Sequence, residues 1–85
     1  MTFEVHLSSR AKRFLNKTDK ELYNRIMNKL YNLAEDPFPH DVKRVIGQKE
    51  RVFRVRVGSH RILYVVFPDK NVILVVNIDK RPKAY

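Results

Sequence analysis

The chain has 85 residues, 44% of them hydrophobic and only 2 of them glycine, the composition of one small folded domain spanning 1–85 rather than of a disordered segment. It has no cysteine, which excludes a disulfide framework and a thiolate metal site, and no apolar run nears the ~20 residues of a membrane span. The formal charge is +9, and it is uneven: residues 1–41 hold 7 basic and 6 acidic residues, residues 42–85 hold 11 and 3.

Phe3-Glu4-Val5-His6-Leu7 alternates apolar with polar residues, which predicts a half-buried strand with Phe3, Val5 and Leu7 inward. Ser8 and Ser9 are N-cap residue types ahead of a short helix, Arg10 to Asn16, with Ala11, Phe14 and Leu15 on one face. A second start signal, Thr18-Asp19-Lys20-Glu21, has the spacing of a capping box between Thr18 and Glu21. The helix it predicts runs from Asp19 to Glu35, with Leu22, Tyr23, Ile26, Met27, Leu30, Leu33 and Ala34 as its apolar stripe, and Pro37 and Pro39 stop it. The pattern then switches to strands. Val42 to Ile46 is a short, irregular one, Gln48-Lys49-Glu50 a polar turn, and Val72 to Val76 an apolar run expected to be covered on both faces. Pro68-Asp69-Lys70-Asn71 has turn chemistry, and Pro82 takes the tail out of the sheet. The order is β-α-α-β-β-β-β: an α+β fold, a twisted and mostly antiparallel sheet with two N-terminal helices on one face.

The hairpin between these elements carries the chemistry. In Arg51 to Val57 valines alternate with arginines, so Arg54 and Arg56 share one sheet face and Val55 and Val57 the other. Two guanidinium groups then stand about 7 Å apart along the strand. Gly58-Ser59 is the turn, and Arg61 opens the returning strand, which runs to Phe67. Planar guanidinium forks match phosphate oxygens, and a one-signed half of so small a chain calls for an anionic partner. Nucleic acid, an acidic protein segment and a membrane surface all qualify; the membrane is least supported, because the cations lie on strands and not on an amphipathic helix. The bland reading of Arg54 and Arg56 is the solvated face of a hairpin. His6 and His40 have no spacing partner for a metal site, so neither metal nor cofactor is expected.

The hairpin Phe53 to Tyr64 and the ending Lys80-Arg81-Pro82-Lys83-Ala84-Tyr85 together resemble the RelE/ParE toxin superfamily, and the likeness covers the whole chain. The resemblance implies a type II toxin silenced by an acidic, RelB-like antitoxin. In RelE-like members the activity is ribosome-dependent cleavage of mRNA in the A site; ParE-like members share the fold, poison DNA gyrase and lack the RNase residues. Position by position it makes Arg54 and Arg56 the paired basic residues of the strand, often lysines in the family. Arg61 becomes the phosphate clamp, Arg81 the C-terminal arginine and Tyr85 the terminal tyrosine. Lys43, Arg44, Lys49, Arg51, Lys80 and Lys83 are read as general phosphate contacts. His60 is either a turn residue or an RNA contact.

Such an RNase needs no metal if the substrate's own 2′-OH attacks the adjacent phosphate, leaving a 2′,3′-cyclic phosphate and a 5′-OH. The arginines would stabilise the phosphorane and Tyr85 would stack on a base or orient the 2′-OH. The residues leave the general acid and base unassigned. A gyrase poison and a non-catalytic basic binding module remain the alternatives. With no signal-peptide pattern at the N-terminus, the expected compartment is the cytoplasm.

Overall fold

The computed structural model describes residues 2–47 and 51–80. The expected polar turn at 48–50, with Lys49, and the tail with Arg81, Lys83 and Tyr85 lie outside the described residues. Strand β1 (Glu4–Leu7) leads through Ser8 into α1 (Ser9–Lys17) and α2 (Lys20–Glu35). Then come β2 (Lys43–Arg44), β3 (Val52–Val57), β4 (His60–Phe67), a single 3-10 turn at Pro68–Lys70 and β5 (Val72–Lys80). The sheet order is β1-β5-β4-β3-β2, with β1 parallel to β5 and every other pair antiparallel.

Local chemistry explains each start and stop. Ser8 caps α1: its Oγ accepts from the Ala11 N–H at 3.1 Å and donates to the Val76 carbonyl at 2.8 Å. The second contact falls where β4 and β5 shift register, a β-bulge that pairs Leu63 with Asn77 but Tyr64 with Val75 and leaves Val76 over. For α2 the cap is Asp19, whose carboxylate accepts from the Leu22 N–H at 2.8 Å. Thr18 instead terminates α1, so the expected capping box does not form. Asp19 competes successfully because its carboxylate also carries the charge that a helix N-terminus favours.

Both helices cover one face of the sheet. Ala11, Leu15, Ile26, Leu30 and Leu33 pack with Val55, Val57, Ile62, Tyr64, Ile73, Val75 and Ile78. Full burial of such side chains contributes about 1.5–3 kcal/mol each. Tyr23, expected in the apolar stripe, stays 40% exposed. Two strand expectations need correcting. The Val42–Ile46 candidate shrinks to a two-residue edge strand, extended by a Val45 N–H to Val52 carbonyl bond at 2.8 Å. And β5 continues through Asn77-Ile78-Asp79 to Lys80, with only Ile73, Val75 and Ile78 fully buried, so helices cover one of its faces and not both.

The β3–β4 turn is two residues long. Gly58 takes φ 59°, a left-handed value that glycine adopts without Cβ strain, and a Cβ there would meet the Arg25 guanidinium at 3.3 Å. Across the other end of β4, the buried Tyr64 hydroxyl donates to the Pro37 carbonyl at 2.7 Å, tying the loop after α2 to the sheet.

Candidate nucleic-acid interface

The sheet face turned away from the helices is organised in rows by the strand register. One row is Arg56, Arg61 and Asp79; the next is Lys43, Arg54, Leu63 and Asn77; the third is Val52, Val65, Leu74 and His6. Directly paired residues project to the same side of a sheet, so the first two rows form a cationic end and the third an apolar one. Four of the predicted site residues, Arg54, Arg56, Arg61 and Lys43, therefore meet on one face of β2, β3 and β4. Arg56 is exposed, and Arg54 and Arg61 are half-buried.

Asp79 is the residue that the sequence reading missed. Arg56 and Arg61 are cross-strand partners, and like charges directly opposite each other destabilise a sheet. Asp79 lies on the other side of Arg61 and takes its guanidinium side-on, Nε to Oδ1 at 2.9 Å and Nη2 to Oδ2 at 3.0 Å. This bidentate pair offsets the repulsion and fixes the plane of the Arg61 fork. Among the described residues, four cations and one carboxylate share this end, a positive balance that can stabilise a phosphate dianion or a phosphorane. The polar/apolar alternation from Asn77 to Lys80, ahead of the exit from the sheet at Pro82, is the signal for Asp79, but the sequence reading assigns no faces beyond Val76.

Other predicted contacts lie elsewhere. His60 is the first residue of β4 and sits one step out of phase with Arg61, paired with Val57 and Lys80. It and Lys80 therefore belong to the helix side, where the His60 ring meets Phe14 edge-on at 5.5 Å. The same phase puts Arg44, opposite Phe53, on the helix side of the edge strand. Arg51 is exposed just before β3. Among the described residues, the histidine on the arginine face is His6, about 20 Å from Arg56 by strand spacing and rise, with its Nε2 2.8 Å from Glu4. No three His, Cys, Asp or Glu side chains among the described residues gather around one point that could hold a metal ion.

A five-stranded sheet with two helices on one face and a cluster of cations on the other is the architecture of a small toxin class. The model of the family described as ParE toxin of type II toxin–antitoxin system matches residues 5–85. The chain belongs to the RelE/ParE superfamily of type II toxin–antitoxin toxins. A Methanocaldococcus jannaschii protein assigned as toxin RelE1 is 32% identical over 88 residues, spanning 100% of this chain and 97% of its own. The archaeal RelE–RelB complex from Pyrococcus horikoshii superposes with a TM-score of 0.85 at 26% identity, over 99% of this chain and 100% of that one. The isolated E. coli RelE toxin shares the fold, with a TM-score of 0.81 at 18% identity over 96% and 87% of the two chains.

Proposed function

We propose that this chain is a RelE-like endoribonuclease that cuts mRNA on the ribosome and is held inactive by an acidic, RelB-like antitoxin. The observation that carries the reading is the cationic end of the open sheet face: Arg54, Arg56 and Lys43 around an Arg61 whose fork Asp79 holds in place. Guanidinium groups so arranged suit attack by the 2′-OH on its own phosphate, because they neutralise charge on the phosphorane without a metal ion. They do not suit proton transfer, since arginine stays protonated at any working pH. In this reading the terminal residues Arg81 and Tyr85 complete the site, and the ribosome supplies the alignment of the strand. Lys49 and Lys83 add phosphate contacts outside the reacting centre. In this reading an enzyme that acts on ribosomes would work in the cytoplasm.

The match to the ParE family model supports a second reading, a gyrase poison on the same fold. Induced expression separates the two. The endonuclease reading expects arrested translation and mRNAs cut at codon-linked positions, with cutting abolished in Arg54→Ala/Arg56→Ala and in Arg81→Ala while the variants still fold. Intact mRNA accompanied by DNA breaks would overturn it in favour of the gyrase poison.

A further inference from the structure

The half-chain charge balance conceals a second basic cluster. Between residues 10 and 20 stand Arg10, Lys12, Arg13, Lys17 and Lys20 against the single acid Asp19. In the fold, Arg10, Arg13 and Lys17 line a groove of about 560 Å³ between α1, the start of α2 and the ends of β4 and β5. This groove lies on the helix side of the sheet, behind the arginine face. Positions 10, 13 and 17 share one helix face over about 10 Å of axis, a row of exposed cations that can follow a phosphate backbone. Among the described residues, Asp19 is the one carboxylate in the lining, and one of its two oxygens, Oδ1, accepts from the Leu22 N–H.

The floor distinguishes this groove from a merely solvated basic helix. Phe14, half-buried, meets the His60 ring edge-on at 5.5 Å, with Leu22 and Ile78 beside them. Aromatic rings sunk between cations are the combination that holds single-stranded nucleic acid, through base stacking in a basic channel. An acidic peptide would answer the cations but has no use for the paired rings. We propose that this groove is a second RNA-binding site, taking a single-stranded segment with phosphates on Arg10, Arg13 and Lys17 and a base against Phe14 and His60. With sites on opposite sides of one sheet, the protein can hold one RNA strand while the arginine face engages another.

The site is tested by binding alone, so its failure and that of the endonuclease reading are separable: an RNA-binding groove on a protein that never cuts RNA leaves this inference intact. In an Arg54→Ala/Arg56→Ala background, which weakens the opposite face, binding of a labelled ten-nucleotide oligouridine is followed by anisotropy from 50 to 300 mM KCl. Adding Arg13→Glu and Lys17→Glu should lower affinity at least tenfold and make the log–log salt slope shallower by about 1.4, at ~0.7 per phosphate contact. Phe14→Leu, which keeps the apolar packing, should lower affinity several-fold with the slope unchanged. Circular dichroism and melting, alike in all variants, exclude unfolding as the cause. An unchanged slope in the charge-reversed protein, or an unaltered affinity in Phe14→Leu, overturns the proposal. So does a charge-reversed protein that loses binding to poly-glutamate while keeping its affinity for RNA.

Discussion

Tyr64 shows how one side chain joins the core to the loop that precedes the site. Its ring is fully buried among α2 and the sheet, and its hydroxyl donates to the Pro37 carbonyl at 2.7 Å. Tyr64→Phe keeps the ring packing and leaves that carbonyl without its donor, so it should cost about 1–2 kcal/mol in denaturant unfolding at pH 7. Burial, with the charges of Asp41 and Asp36 behind it, pushes the phenol above its ordinary value of 10. An unfolded tyrosine therefore ionises first as pH rises. The contribution of Tyr64 is complete below about pH 10 and is lost as pH climbs above it, whereas phenylalanine has nothing to lose. The stability gap between the two proteins should narrow from pH 7 to pH 10.5. A gap that stays constant would show that the hydroxyl is not held in this way.

At the scale of elements, β5 holds the two halves of the cationic face in place. The cross-strand row Arg56, Arg61, Asp79 sets two cations side by side and then a carboxylate. With the Arg61 and Asp79 side chains 21% and 33% exposed, their bidentate pair is screened less than a surface ion pair and more than a core one. A double-mutant cycle with Arg61→Ala and Asp79→Ala should give a coupling energy of about 1 kcal/mol; a value near zero would mean that the pair orients Arg61 without stabilising the sheet. Much of this element was legible in the sequence. Arginine–valine alternation fixed the faces of β3, and the glycine marked the turn, because both signals are local and periodic. The helices were legible for the same reason. Asp79 was not, because it falls in the tail that leaves the sheet at Pro82, where the sequence reading assigned no faces. His60 was grouped with the arginines by nearness along the chain, although a period of two puts neighbours on opposite faces. The parallel pairing of β1 with β5 depends on contacts between residues about 70 positions apart, such as Glu4 with Val72, which no local pattern encodes. Arg10, Arg13 and Lys17 escaped for another reason: averaging charge over 41 residues set them against acids that lie elsewhere in the fold.

Across the whole molecule, cations outnumber carboxylates by 18 to 9, so carboxylates can pair one-to-one with at most half of the basic side chains. Cations stand on both sides of the sheet, at the arginine face and along the α1 groove, within principal extents of 34 × 29 × 25 Å. At 10 mM salt the screening length is about 30 Å, so nearly every cation feels every other one through solvent or protein. At 0.15 M it falls to about 8 Å, and repulsion between the two sides is largely removed. Ion pairs such as Lys29–Asp41 and Arg61–Asp79 are weakened over the same range, but the short range and partial burial of Arg61–Asp79 protect it. Relief of repulsion should therefore win, and the free chain should become more stable as NaCl rises from 10 to 150 mM. If the relief is on the order of 1 kcal/mol, Tm should climb by about 4–8 °C for a domain of this size. The sign of the change decides the matter: a Tm that falls with salt would mean that ion pairs, and not like-charge repulsion, dominate the electrostatics of the free toxin.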